Sequence, residues 1–406
     1  WQIEQNRYSG EPGFFNIEAA QKRNPNTKAL NPCQPKGEYI LTENGFRKIE
    51  EIIDHIVLEN KKYNSSKMFA TGEKEVFEIQ LENGLISRFT KNHPISTLNG
   101  DIEVSNLKVG DKILVDHIPI FNTIIDNVEE YEKGIILGCF IADGSFSFSQ
   151  NKYSVNFAMG INEFEFSDSF EKMIKKHFNE NFHFINTKAK TCKTGSINKK
   201  ELIEKFINTY DIKNYNKFDV DFYKKSKDFK LGLLKGLFTC DGSTRSSGSA
   251  ILNSINKNFL YHIQRILLEF GIYSNVTIHS YKRSYIGKDQ KRRNNKDCWK
   301  VEIYDPDFIN IGFLTDYKQK ALKEKCKKQS TRIINKKKQL KIKSINSIGI
   351  MPVYDISVQD IHHYNSNGFI VHNCSEVLLD DKQFCNLTTV NVMGFVNENG
   401  ILNKEK

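Results

Sequence analysis

The sequence predicts a mainly β unit that is discontinuous in the chain and carries an inserted α+β unit of pseudo-twofold symmetry. Two changes of pattern and one repeat lead to this reading. Residues 33–120 read as short strands, 121–335 as longer helical stretches with interspersed strands, and 336–373 as strands again. Within the middle, "ILGCFIADGS" (136–145) aligns without a gap on "LKGLFTCDGS" (234–243), and a duplicated unit implies two equivalent halves facing each other across an axis.

In the first segment, Asn-Gly pairs at 44, 83 and 99 separate runs such as "VFEIQL", "LISRFT" and "DKILV". Asn-Gly accepts the positive φ of a tight hairpin, so each pair predicts a reversal between strands. In the middle, "SDSFEKMIKKHF" (167–178) and "FLYHIQRILLEFGI" (259–272) repeat apolar residues at three and four, which predicts amphipathic helices. Each copy of the repeat is followed by a polar strand-like segment, an Ile-Asn pair (161–162, 255–256) and one of these helices. The last segment holds "MPVYDISV" and "GFIVHN", with another Asn-Gly at 367.

The 406 residues are 39% hydrophobic and 12% aromatic, enough to build cores rather than remain disordered. No apolar run approaches a membrane span, and "WQIEQNRYSG" lacks the form of a signal peptide; a soluble chain in the reducing cytoplasm is expected. Eight cysteines contain no Cys-x-x-Cys pair and no zinc spacing, which argues against a disulfide framework or zinc module; Cys192, Cys298 and Cys326 read as incidental thiols. The net charge of +10 is concentrated in 281–296 and 317–343, where basic residues alternate with tyrosine and asparagine and point to a polyanionic partner. The lysine run 336–338 reads as a solvated linker.

One triplet carries chemistry of its own. In His372-Asn373-Cys374, the asparagine amide nitrogen can attack its own carbonyl and form a succinimide, breaking the Asn373-Cys374 bond. Proximity is built into the residue, and His372 stands ready to assist. Cys33 supplies the matching step at the other end: its thiol can attack the Pro32 carbonyl, and Cys374 can then take the acyl group. Thr90 and His93, in "FTKNHPIST", suit stabilisation of the oxyanion at Pro32 and protonation of the Cys33 amine.

With these blocks in order, the chain resembles an intein. "CQPKGEYILTENGFRKIEEI" resembles the first splicing block, "TKNH" (90–93) the second, and "VYDISVQDIHHYNSNGFIVHNC" (353–374) the last two. The resemblance implies the Hint fold of inteins and hedgehog autoprocessing domains, a tuning role for Asp355, and assistance to cyclisation by His362; His363 reads as an ordinary surface histidine. The repeat resembles the paired motifs of LAGLIDADG homing endonucleases. This implies close helix crossing at Gly138 and Gly236, with Asp143 and Asp241 binding Mg²⁺ against double-stranded DNA. Cys139 and Cys240 stand where that motif is often apolar or alanine, and Lys300 in "CWKVEI" is taken as a basic residue of the nuclease site. Removing 33–373 joins Asn31-Pro32 to Cys374-Ser375-Glu376, which resembles the active-site segment of ribonucleotide reductase large subunits, with Cys385 as a redox partner.

The expected organisation is therefore a flank (1–32), a monomeric intein with a nested endonuclease (33–373) and a second flank (374–406). Two alternatives stay open: splicing with a dead nuclease, and cleavage without ligation. Pro32 yields a first prediction. Its carbonyl is a weak electrophile, because an n→π* contact worth roughly a few tenths of a kcal/mol feeds into it and the ring fixes φ. Pro32→Ala should accelerate thiol-induced cleavage at Cys33; a time course with an unchanged or slower first step contradicts this.

Overall fold

The computed structural model describes residues 33–373 apart from 150–151, 161–162, 188–190, 282–283, 287–291, 330–338 and 359–360. It also describes the backbone strands Gly13–Asn16, Glu376–Leu379, Phe395–Val396 and Leu402–Asn403. Cys374, Pro32, Cys385, the Ile161-Asn162 pair and the lysine run 336–338 lie outside the described residues.

Two larger sheets dominate the first unit beside the hairpin of His55–Leu58 and Lys61–Asn64, and each of the two contains strands from both sides of the insertion. One runs in the order Gly100–Glu103, Pro94–Thr97, Phe369–His372, His363–Ser366, Tyr39–Thr42, Gly45–Lys48. The other places the long strand Gln339–Asp355 between Lys112–Leu114 and Phe69–Leu81, with Ile86–Thr90 beyond. Each Asn-Gly turn appears where expected: Gly45, Gly84, Gly100 and Gly368 all have positive φ. Ile40, Ile79, Phe89, Ile95, Ile113, Tyr364 and Phe369 fill the core between the sheets, the inward half of each alternating strand.

The inserted unit has six helices among its described residues: α1 (Val128–Asp143), α2 (Phe164–Phe178), α3 (Lys200–Tyr210), α4 (Lys227–Asp241), α5 (Lys257–Glu269) and α6 (Asp316–Gln329). Asn127, Ser226 and Asn256 cap α1, α4 and α5 with side-chain oxygens that accept a backbone N–H of the first turn. α1 and α4 cross in direct backbone contact. A Cβ on Gly138 would strike the Leu233 carbonyl, and one on Gly236 the Ile135 carbonyl, so only glycine fits at these two positions. Each helix leads into its own four-stranded antiparallel sheet. One is ordered Ser145–Ser149, Lys152–Gly160, Cys192–Ile197, Ile185–Asn186; the other Gly242–Thr244, Ala250–Ser254, Cys298–Ile303, Asn275–Ser280.

Although the insertion is separable in sequence, it is not separable in packing. Leu41, Phe46 and Val57 of the first unit belong to the same apolar cluster as Leu233, Leu234 and Leu267 of the helices. The Asn44-Gly45 hairpin tip meets a fully buried ion pair, Lys230 Nζ to Glu269 Oε2 at 2.8 Å. The Phe46 N–H donates to Glu269 Oε1 at 2.7 Å. The Ile120 and Phe121 N–H groups both donate to the Glu269 carbonyl at 3.0 Å. Burial pushes the Glu269 carboxyl up and the Lys230 ammonium down, each against the pull of the other. Glu269→Ala leaves the buried Lys230 ammonium without its counter-charge, facing the Asn44 carbonyl at 3.5 Å and the Phe121 ring, and takes the acceptor from the Phe46 N–H. It should cost about 3–5 kcal/mol in chemical denaturation, and a loss below about 1 kcal/mol would show the pair to be dispensable.

Candidate active sites

Antiparallel pairing of Gln34 with Tyr354 and of Pro35 with Val353 sets Cys33 opposite Asp355. On its other side Cys33 meets the end of strand Ile86–Thr90. Its N–H donates to Thr90 Oγ1 at 3.1 Å, and the Thr90 N–H donates to the Cys33 carbonyl at 2.9 Å. The Thr90 hydroxyl gives its own proton to Asn92 Oδ1 at 2.9 Å. Thr90 therefore grips the Cys33 backbone at both its N–H and its carbonyl.

The Cys33 thiol is fully buried, with Thr71 Oγ1 at 2.9 Å and Lys74 Nζ at 3.1 Å. Burial pushes the thiol up and Asp355 adds to this, while Lys74 and Thr71 pull it back. Asp355 is itself fully buried, its Oδ1 accepting the Ile356 N–H at 2.8 Å. His93 is also fully buried, its ring 4.9 Å from that of Phe89. Burial above all, then the positive fields of His372 and Lys74, bring it down to about 3, against an opposing pull from the Cys33 backbone. It is a neutral imidazole at any working pH.

Strand Pro94–Thr97 follows His93 directly and pairs Ile95 with Val371, so the residues preceding Asn373 come to the same cleft. Asn373 is fully buried, and its N–H donates to the His362 carbonyl at 2.8 Å. His362 adopts a left-handed φ of 52°. Its ring stacks at 6.1 Å on His372. His363 is not the surface residue expected from sequence. Its Nε2 lies 2.9 Å from Asp101 Oδ2, its Nδ1 2.6 Å from the Ile361 carbonyl, and its ring 4.9 Å from His372. The Asp101 contact raises its proton affinity, whereas burial and His363 lower that of His372. Lys74, Thr71, His363 and Asp101 were missed because their pairing exists only across the sheets. Lys74 sits in "GEKEV", which reads as an ordinary charged strand face.

The second site lies where α1 and α4 end side by side at Asp143 and Asp241. Both side chains are exposed at their tips, yet the packed helix ends around them partly desolvate and raise both carboxyls, Asp241 to about 6, with Asp143 adding to the latter. Two lysines oppose these shifts. Lys217 Nζ donates to the Ala142 and Gly144 carbonyls, both at 2.9 Å, at the end of α1. Lys318 Nζ donates to the Thr239 and Cys240 carbonyls at the end of α4 and to Glu163 Oε1 at 3.0 Å. Each lysine thus caps one helix beside its carboxylate, repeating the twofold relation. Lys300, expected here, instead pairs with Glu302 on the same strand, since residues two apart on a strand share a face. Lys217 and Lys318 sit outside the repeated decapeptides, where no motif marks them. No group of three or more His, Cys, Asp or Glu side chains able to hold a metal occurs among the described residues. Two mutually repelling carboxylates, side by side at the helix ends and open to solvent, do fit a hard divalent cation that takes its remaining oxygens from water or phosphate.

The chain belongs to the intein splicing domain family, whose model matches residues 39–373. It is similar to the ribonucleoside-diphosphate reductase NrdEB subunit alpha of Bacillus subtilis (strain 168). The two are 24% identical over 473 aligned residues, covering 97% of this chain and 42% of that protein. It thus spans less than half the length of that relative. It is also similar to a DNA polymerase of Thermococcus hydrothermalis, 24% identical, covering 59% of this chain and 15% of that protein. Among solved structures, I-DmoI in complex with DNA and Ca covers 49% of this chain and 100% of its own, at 13% identity and a TM-score of 0.37. The Ssp DnaB mini-intein variant M86 with a G-1F mutation covers 84% of this chain and 98% of its own, at 10% identity and a TM-score of 0.28. No helix among the described residues is long and apolar enough to cross a membrane.

The buried neutral His93 has a stability consequence. Its folded value near 3 lies below the ordinary 6.5, so between these values the unfolded chain binds a proton that the folded chain refuses. Stability attributable to this group is intact above pH 6.5 and is lost as the pH falls toward 3, by about 1.4 kcal/mol per pH unit. Urea denaturation of His93→Gln should show a shallower acid slope than wild type by roughly one proton; equal slopes would contradict the burial of a neutral imidazole.

Proposed function

We propose that residues 33–373 excise themselves and join Pro32 to Cys374, and that the inserted unit cuts double-stranded DNA at the uninterrupted host gene. The observation that carries the splicing reading is the convergence of Cys33, His93 and Asn373 on one cleft, from strands at both ends of the chain. Cys33 Sγ attacks the Pro32 carbonyl carbon, the Pro32-Cys33 C–N bond breaks, and the thiol proton ends on the freed amine. Lys74 and Thr71 stabilise the thiolate on the way. Asp355, opposite the thiol, and the neutral His93, beside the amide, are the groups able to carry the proton. Cys374 next takes the acyl group and returns the proton to the Cys33 thiol. Finally the Asn373 side-chain amide nitrogen attacks its own carbonyl carbon, its proton passing to the Cys374 nitrogen as the Asn373-Cys374 C–N bond breaks, and the freed Cys374 amine takes the acyl group from its own sulfur to form the peptide bond to Pro32. The Asp101-His363 pair holds a proton beside His372, and His362 fixes the Asn373 backbone through its carbonyl.

In the nuclease, Asp143 and Asp241 are the residues that would hold Mg²⁺, which supplies charge neutralisation for phosphodiester hydrolysis when bound. Lys217 and Lys318, each anchored to carbonyls at a helix end, present positive charge to the scissile phosphates and steady the developing charge. The flank sequences and the similarity to a reductase subunit support a ribonucleotide reductase as host, with the Asn-Pro-Cys-Ser-Glu codons as the DNA target.

The two activities should separate cleanly. Asn373→Ala should block release of the second flank while leaving thioester formation, and Cys33→Ala should abolish thiol-induced cleavage. Mass spectrometry of the products decides between ligation and cleavage alone. Asp143→Asn and Asp241→Asn should each abolish cutting of the reductase target with splicing unchanged. Cutting by the double variant would remove the assignment, and a wild-type protein that binds the target without cutting it in Mg²⁺ would favour a dead nuclease.

A further inference from the structure

One line of hydrogen bonds crosses from the inserted unit into the splicing cleft. It begins at Arg265 on α5, whose Nε donates to Asn367 Oδ1 at 2.6 Å. Asn367 occupies the 367–368 turn with a left-handed φ of 52°. Its Nδ2 donates onward to Glu38 Oε2 at 2.6 Å and to Ser87 Oγ at 3.2 Å. Glu38 is a buried carboxylate that also accepts Ser87 Oγ at 2.8 Å and Arg88 at 3.2 Å. Ser87 and Ser366 lie 3.1 Å apart, and both receive Gln34 Nε2, at 3.3 and 2.8 Å. The other end of the Gln34 amide accepts the Tyr364 hydroxyl at 3.0 Å. Gln34 is bonded to Cys33.

Arg265 is held in place on both sides of the domain junction. Its guanidinium lies 4.7 Å over the ring of Tyr39, in the splicing unit, and donates to the Tyr223 hydroxyl of the inserted unit at 3.3 Å. Planar stacking and a fixed fork of donors suit arginine to such a junction. The twofold repeat shows that this position is not demanded by the inserted unit itself. Continuing the alignment of the two Ile-Asn pairs puts Glu171 in place of Arg265, and Glu171 serves its own half by accepting the Phe184 N–H at 2.8 Å.

We propose that Arg265, although part of the inserted unit, is a positioning residue for the first splicing step, acting through Asn367 and Glu38 on Gln34 and hence on the Cys33 backbone. A buried carboxylate with two cationic neighbours holds the Ser87-Ser366-Gln34 cluster in one arrangement. Without Arg265, the Asn367 amide loses the charged donor that fixes its orientation, and the register of Cys33 against Thr90 loosens. Tyr364, Ser366 and Asn367 lie on the hairpin that leads to Asn373, but the Asn373 backbone itself is held separately, by the His362 carbonyl. The inserted unit then contributes to splicing directly, and mutations or ligands that shift α5 act on the first step alone.

The inference rests on Cys33 as first nucleophile, so Cys33→Ala serves as a separate control: cleavage persisting in that variant overturns the nucleophile assignment and not the relay. In the full precursor, Arg265→Ala should slow thiol-induced cleavage at Cys33 about tenfold, the scale of one charge-assisted hydrogen bond, with release at Asn373 changed less than about twofold. Arg265→Lys should recover part of the rate. Asn367→Gly keeps the left-handed turn while deleting the bridge and should reproduce the loss even if Arg265→Ala folds poorly. In a Glu38→Gln background, Arg265→Ala should add little, since both act on one line. The proposal fails if Arg265→Ala and Asn367→Gly leave cleavage at Cys33 unchanged. It also fails if both junctions slow together with a fall in melting temperature, or if the Glu38 and Arg265 effects simply multiply.

Discussion

Everything in this molecule depends on the antiparallel ladder between Phe69–Leu81 and Gln339–Asp355. These strands come from opposite sides of an insertion of more than two hundred residues, and closing such a loop has an entropic cost that only a long, specific pairing can offset. The ladder fixes Asp355 beside Cys33 at one end. At the other it lets Gln339–Lys341 pair with Lys112–Leu114, so the chain leaves and re-enters the first unit on neighbouring strands. A slip of one residue would turn Asp355 to the opposite face and take it from the thiol.

The ladder also explains why the site is buried and electrostatically unusual. Cys33, Thr90, His93, Asp355 and Asn373 are all polar or reactive groups with almost no exposure. Burial normally disfavours such groups, and several are offset by a neighbour brought in by a strand: Lys74 and Thr71 for the thiol, the Ile356 N–H for Asp355, the His362 carbonyl for the Asn373 N–H. The same desolvation that raises the Cys33 thiol keeps His93 neutral, so the proton-accepting and proton-donating groups differ in kind although they share one cleft.

In the inserted unit, the same role falls to the crossing of α1 and α4. Because glycines remove the side chains at the contact, the two helix ends come together and their terminal aspartates share one site. The lysines that accompany them are fixed by helix-end carbonyls, which carry partial negative charge and attract cations. The hairpin tip of the splicing unit wedges against α4 and α5 at Lys230 and Glu269, so the two units share one continuous packing.

Much of this was readable in the chain. The Asn-Gly turns appear because their chemistry is local. The gapless repeat announced twin halves, and the ordered blocks at both ends announced splicing. What the sequence alone could not decide was which charged side chains meet. Lys74, His363, Lys217 and Lys318 lie in segments whose local pattern is that of an ordinary solvated surface, and Lys300 looked equally suitable until its strand turned it toward Glu302. Local conformation is written in neighbouring residues, but a pKa, a lysine's partner or a bridge such as Arg265 to Asn367 depends on groups far apart in the chain, and only the packing of sheets and helices brings them within reach.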